Sequence, residues 1–217
     1  MKRQIPLDLV VEPDHSFDNF VETDTNTHAL NALKTWESWP APVFLVLGPK
    51  GSGKTHLGQA WAQALSANII TTAELPSETI KYGFIDDADR FSPSTLFDLI
   101  NSALAGEMRA LLLTSTLQPT DWPHEIPDLY SRLKNTANVT LQEANDDLID
   151  AIIRKLFEDA GRLVKKDLVD YLSMRCERDV PSLRQTVLYL DSQARADKAD
   201  MTKTYASRIL NRQKDLF

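Results

Sequence analysis

Along the chain the apolar positions change period twice. Val43-Phe-Leu-Val-Leu47 is an unbroken apolar run, which predicts a buried parallel strand. It breaks into glycines and resumes at Leu57, Ala60, Trp61, Ala64 and Leu65, the spacing of an amphipathic helix. Upstream, Phe17 and Phe20 precede a polar stretch and a helix predicted from about Asn26, with Leu30, Leu33 and Trp36 on one face. Trp39-Pro-Ala-Pro42 ends that helix, because proline disfavours the helical region at the residue before it. Downstream, residues 68–72, 82–87, 110–116 and 138–141 read as further strands rich in β-branched or apolar residues. Between the last three lie a helix over 94–105, with Leu96, Phe97, Ile100 and Leu104 inward and Ser92 or Ser94 as cap, and a short helix over 128–134. From Asp146 the pattern is helical only: 146–160 carries Leu148, Ile149, Ile152, Ile153, Leu156 and Phe157 and stops at Gly161, and helices over 166–177, 181–196 and 202–212 follow. Strands alternating with helices predict an α/β fold, a doubly wound parallel sheet over 14–143, followed by a small all-α unit over 144–217. Residues 1–13 have no helical period and read as an extended peptide.

Composition narrows the setting. A chain of 217 residues can bury one sizeable core and a smaller one. With 24 Lys+Arg against 31 Asp+Glu, its long-range field repels nucleic acid. The single cysteine, Cys176, excludes an internal disulfide and suits a reducing compartment; with no histidine near it in sequence, it reads as a structural helix residue. Asp8 and Glu12 interrupt the N-terminal apolar positions, so no signal peptide is predicted, and no window is long enough for a membrane span. The expectation is a cytoplasmic protein.

The candidate chemistry sits where the first strand meets its helix. Gly48-Pro-Lys-Gly-Ser-Gly-Lys-Thr55 fits G-x-x-x-x-G-K-[ST]. Glycines at 48, 51 and 53 let consecutive backbone N–H groups turn around an anion, and the helix that follows presents its unpaired donors to the same phosphates. Lys54 is then placed for the outer phosphates and Thr55 for magnesium. Tyr82-Gly-Phe-Ile-Asp-Asp87 ends an apolar strand in two carboxylates, and in a parallel sheet the carboxyl ends of strands share one edge. Asp86 is therefore the expected magnesium carboxylate and Asp87 the residue that orients an attacking water. Aspartate is shorter than the glutamate usual there, which predicts slow intrinsic hydrolysis. Thr114, Ser115 or Thr116, ending the fourth strand, either touches the terminal phosphate or ties off the strand.

GPKGSGKTHL, FIDDAD, LLLTST and DLYSRL in that order, ahead of a helical unit, resemble the AAA+ ATPases and, among them, the bacterial initiator DnaA family. The similarity covers roughly residues 17–190. It implies ADP or ATP with Mg2+ as cofactors, the loop from Gly48 and Pro49 through Lys50, Gly51, Ser52, Gly53, Lys54 and Thr55 to His56 with Ser115 around the phosphates, and Phe17 and Phe20 of SFDNFV flanking the adenine. Arg132 of DLYSRL stands where the family carries an arginine that reaches a neighbour's phosphate; the local alternative is an ion pair with Asp128 one turn earlier. DnaA continues into a helix-turn-helix domain for which the stretch after Asp197 is too short, so direct sequence-specific DNA binding is not expected. A DnaA-like module behind an extended peptide resembles the family's regulatory inactivators of DnaA. In that reading Gln4, Ile5, Leu7 and Leu9 of QIPLDL form a Q-x-x-L-x-L motif for the DNA polymerase III beta sliding clamp, and the partners are DnaA and that clamp, with room for a homo-oligomer.

Three departures from the family pattern matter. The connection before Tyr82 is short. Pro181 occupies the position of the lid's sensor arginine, leaving Arg178 or Arg184 to substitute or the contact absent. Asp87 replaces the usual second acid or amide. Two other functions stay open: a self-sufficient ATPase of helicase-loader type, and a non-catalytic adaptor in which nucleotide is structural.

Overall fold

A computed structural model describes residues 15–71, 80–122 and 125–214. Residues 1–13 therefore lie outside the described part, and with them Gln4, Ile5, Leu7 and Leu9. Among the described residues, five strands form one fully parallel sheet in the order β2-β3-β4-β1-β5, with β1 Val43–Leu47, β2 Asn68–Ile69, β3 Tyr82–Ile85, β4 Ala110–Ser115 and β5 Ala137–Thr140. Every residue of β1 and β4 is buried, as the unbroken apolar runs require of central strands covered on both faces. The edge strands differ: β5 alternates half-buried and exposed, and both residues of β2 are exposed. Of the second predicted strand, only Asn68–Ile69 pairs, and Thr72 falls outside the described residues.

The strand pleat sorts side chains to two cores. Val43, Leu45 and Leu47 face a layer built with α3 (Pro93–Leu104) and α4 (Pro127–Lys134), joined by Leu96, Ile100 and Leu129. Phe44 and Val46 face the other layer, α1 (Thr27–Lys34) and α2 (Lys54–Leu65), with Leu30, Leu33, Leu57 and Trp61. On that side α2 comes very close to the sheet, because a Cβ on Gly58 would lie 2.2 Å from the Phe84 ring. Any larger residue at 58 would push the helix, and the loop before it, off the sheet.

Several predicted details are corrected. Helix α1 stops at Lys34, so Trp36 belongs to a separate 3-10 turn and is only half-buried. In α3 the buried face is Leu96, Leu99, Ile100 and Ala103, whereas Leu104, the helix's last residue, is 45 % exposed. Ser92 occupies the α3 cap position without a capping bond; its hydroxyl pairs with Ser94 instead.

The helical part comprises α5 (Asp146–Asp159), α6 (Lys166–Ser173), α7 (Val180–Asp197) and α8 (Lys203–Lys214). All six apolar residues predicted for the α5 stripe are buried in one cluster with Leu168, Leu172, Leu183 and Leu190. Asn145 caps α5 by accepting from the Leu148 N–H at 2.9 Å, and Gly161 follows its end at φ +74°. Helix α6 is shorter than predicted, ending at Ser173. Asp191 is buried in this cluster, accepting from Arg162 Nε and, at 2.7 Å, from Arg195 Nε. The Arg162 guanidinium ties the segment after α5 to α7, and Arg195 supports the same carboxylate from within α7. Asp191→Ala is expected to destabilise the fold by about 2 kcal/mol, since it removes both bonds and leaves Arg162 partly buried beside no anion. A thermal melt checks this; a change within error would show the pair to be neutral.

Candidate functional site

The loop between β1 and α2 lies at the carboxyl edge of the sheet, between the strands β4 and β5. Gly51 adopts φ +81°, a region open to glycine, and a Cβ there would meet the Cβ of Asp179 at 3.3 Å. The loop tip therefore touches the residue that caps α7. Asp179 accepts from the Ser182 N–H at 3.0 Å; that bond, with the nearby Lys50 ammonium as a lesser cause, holds its carboxyl below the usual range. Ser52 Oγ is buried within the loop with no hydrogen-bond partner among the described residues, an arrangement that a bound anion or water would complete. Among the described residues no side chain caps the N-terminus of α2, so its first donors face the loop.

Lys54 is buried to 5 % exposure. Its ammonium donates to the carbonyls of Gly48 and Pro49, both at 2.9 Å. Burial pushes its pKa down, and the negative charges of Asp87, Asp86 and Asp89 offset part of that. A lysine so placed is desolvated and short of anionic partners, as a phosphate-binding cation would be.

Across the loop, Thr55 Oγ1 donates to Asp86 Oδ2 at 2.8 Å, joining the two residues expected at magnesium. Thr114 Oγ1 donates to the other carboxylate oxygen at 2.5 Å. A hydroxyl and a carboxylate are hard oxygen donors suited to magnesium, which is usually held by one or two carboxylates plus substrate phosphates and waters. No cluster of three or more His, Cys, Asp or Glu able to hold a metal occurs among the described residues. The donor set of one hydroxyl and one carboxylate fits an ion that also takes phosphate oxygens. Asp87 sits at φ 48°, ψ 50°, and its carboxylate lies 3.8 Å from Arg90. Asp89 completes the acidic run, one oxygen accepting from Thr116 at 3.3 Å.

A cleft of about 230 Å³ separates this loop from the helical part. Its walls are Phe20, Val21 and Asn26 on one side and Ile152, Leu156 and Val180 on the other, with Gly51, Ser52, Gly53 and His56 along the floor. The Phe20 ring lies 3.4 Å from a Cβ built on Gly53 and meets the His56 ring edge-on at 5.4 Å. Asn26 fixes the entry segment by accepting from the Thr23 N–H and donating to the Val21 carbonyl, both at 2.9 Å. Such an apolar slot ending at a polar loop has room for a planar base beside a phosphate chain.

Not every predicted site residue converges here. Phe17 packs against the core of α1 and α2, 5.9 Å from the Lys34 ammonium, and is not among the cleft residues. Pro49 and Lys50 are exposed at the loop. Ser115 is fully buried, and its hydroxyl both donates to the Leu117 carbonyl and accepts from the Leu117 N–H, so it ties off the end of β4. Arg132 is exposed on α4 with its guanidinium 5.5 Å from the Phe97 ring centre; no ion pair with Asp128 forms among the described residues. Arg178 is committed to Asp146, whereas Arg184 lines the cleft. The apolar wall from α5 and α7, and Lys155 beside it, had no sequence signal beyond the breadth of the α5 stripe. Burial raises the Cys176 thiol pKa, which leaves it a poor nucleophile.

No family model matches the chain. It is 25% identical to an uncharacterized protein of Haemophilus influenzae over 97% of this chain and all of that protein. It is 22% identical to the chromosomal replication initiator protein DnaA of Flavobacterium psychrophilum over 97% of this chain and 51% of the relative. The chain thus spans about half the length of the DnaA relatives it matches. Among solved structures, domain III of the Thermotoga maritima replication initiation protein DnaA superposes with a TM-score of 0.75 at 17% identity, covering 92% of this chain and 97% of that one. AMPPCP-bound DnaA from Aquifex aeolicus gives a TM-score of 0.72 at 19% identity, covering 95% and 71%. No described helix is long and apolar enough to cross a membrane. With its five-stranded parallel sheet, its phosphate-type loop and its helical wall over the cleft, the chain has the AAA+ fold of DnaA domain III.

Proposed function

We propose that the chain is a DnaA-related regulatory AAA+ protein of the Hda type, which binds an adenine nucleotide with magnesium, docks on the DNA polymerase III beta clamp and stimulates hydrolysis of ATP held by DnaA. The observation that carries the nucleotide part is the Thr55–Asp86 hydrogen bond beside a loop that holds a buried lysine and an unpartnered serine hydroxyl. Likeness to the AMPPCP-bound DnaA supports the same reading. In it, backbone donors of residues 51–55 and Lys54 bind the phosphates, Thr55 and Asp86 would hold magnesium, and Phe20, Ile152 and Leu156 enclose the base. Arg184, from α7, supplies the lid's cation in place of the arginine missing at Pro181. When bound, magnesium would neutralise charge on the outer phosphates.

The division of labour follows the chain: residues 1–13 bind the clamp, 14–143 the nucleotide, and 144–217 close over it. Steady-state ATP hydrolysis tests the whole reading: little turnover by the protein alone, and rapid loss of DnaA-bound ATP when DnaA and clamp-loaded DNA are added. Fast turnover without DnaA would instead support a self-sufficient ATPase. The pairing of Asp87 with Arg90 favours one second reading, an adaptor whose nucleotide is structural. It predicts no effect on DnaA-bound ATP at all.

Clamp docking has its own test. Leu7 and Leu9 would each bury apolar surface worth roughly 1.5–3 kcal/mol before ordering costs. Gln4→Ala with Leu7→Ala should therefore weaken clamp retention on a column at least tenfold while leaving the melting temperature unchanged. Undiminished retention would remove the motif.

A further inference from the structure

We infer that Thr114 is a positioning residue of this site, whose one hydroxyl sets both the carboxylate of Asp86 and the backbone of Asp87 and so supports the magnesium-dependent part of nucleotide affinity. The inference rests on the nucleotide reading above. Thr114 is fully buried near the end of β4, with 0 % of its surface exposed. A threonine hydroxyl has one proton and two lone pairs. The proton goes to Asp86 Oδ1 at 2.5 Å, and a lone pair accepts from the Asp87 N–H at 2.9 Å. No proton remains for a phosphate oxygen, so contact with the terminal phosphate, one of the two roles open from sequence, is not the role of Thr114.

Its neighbours do not compete for the task. Ser115 is committed to Leu117, and Thr116 reaches Asp89. At Asp87 the chain takes φ 48°, a left-handed conformation that aspartate tolerates but does not seek. The N–H it turns inward there is the one that Thr114 accepts. Asp86 is held from both sides: Oδ1 by Thr114, and Oδ2 by Thr55 at 2.8 Å. The oxygen on the Thr55 side is the one placed to ligate a metal, and the Thr114 bond fixes the rotation of the carboxylate that presents it. Removing the hydroxyl should loosen that rotation without touching the phosphate loop, the cleft walls or Lys54.

The test is a titration of a fluorescent ADP analogue into wild type, Thr114→Val and Thr114→Ser, each in magnesium and in EDTA, with melting temperatures measured alongside. Wild type is expected to bind more tightly in magnesium. Thr114→Val should match wild type within about twofold in EDTA and lose about tenfold of the magnesium increment, the worth of one hydrogen bond to a charged group. Thr114→Ser, which keeps the hydroxyl, should restore it. A full magnesium increment in Thr114→Val overturns the inference, and so does an equal loss in EDTA and in magnesium, which would mark a phosphate contact. Should the valine variant not fold, Thr114→Cys, similar in size but a weak donor, must show the reduced increment, and a wild-type increment there overturns the inference. Absence of nucleotide binding by wild type would sink the nucleotide reading itself, a result distinct from any of these.

Discussion

Replacing Lys54 with alanine is expected to weaken nucleotide binding by about 10²–10⁴-fold while leaving the fold intact. The ammonium makes two hydrogen bonds, and in the bound state both would go to phosphate oxygens, each charge-assisted bond contributing about 1.5–3 kcal/mol. The stability effect is small for a separate reason. In the fold, Lys54 is a buried cation bonded to neutral carbonyls, with its pKa lowered by that burial, so removing it relieves a desolvated charge as well as two hydrogen bonds. Equilibrium binding of a fluorescent adenine nucleotide, with a melt of the same sample, separates the two effects. Wild-type affinity in Lys54→Ala would mean that the loop is only a glycine turn.

Arg132→Ala should let DnaA-bound ATP persist, slowing its hydrolysis in the full assay by about 10³–10⁵-fold, the range for an arginine supplied in trans to phosphoryl transfer. A guanidinium suits that role because it stays charged and offers several donors to phosphate oxygens as their charge redistributes. The structure sharpens the test. Arg132 is not spent on Asp128; its contact is the face of Phe97, 5.5 Å from the ring centre, and it is exposed. An exposed cation–π contact is worth about 0.5–1 kcal/mol, so the variant should keep its fold, its nucleotide affinity and its clamp binding. Arg132→Lys, which keeps the charge and loses the fork, should recover only part of the rate. Normal conversion of DnaA to its ADP form by the alanine variant would remove Arg132 from the mechanism.

Local sequence carried much of the architecture. Five consecutive apolar residues can be covered only by helices on both faces of a sheet, and β1 lies within the sheet for that reason. The α5 stripe announced a buried face, because six apolar residues on one side of a helix have nowhere else to go. The phosphate-type loop was legible because its chemistry is local: glycines, a lysine and a threonine at fixed spacing at a helix start. Edges and ends were less legible. Leu104 looks like a core residue by period, yet at the end of α3 it is exposed.

What required the tertiary structure was every relation between residues far apart in the chain. Sequence left Arg178 and Arg184 equivalent; folding ties the first to Asp146 and brings the second to the cleft. It left three hydroxyls equivalent at the end of β4, and the parallel pairing of β4 with β3 assigns Thr114 to the two acids and Ser115 to its own turn. It left Arg132 an ion pair with Asp128 as the local alternative to its role at a neighbour's phosphate, and among the described residues the guanidinium lies instead over an aromatic ring of another helix. Composition, period and motif thus determined the layers of this protein and the place of its glycine-rich loop between a strand and a helix, which depend on neighbours in the chain. Which charged and hydroxyl groups meet was decided only by packing, because a side chain of several bonds reaches many partners and burial leaves room for few.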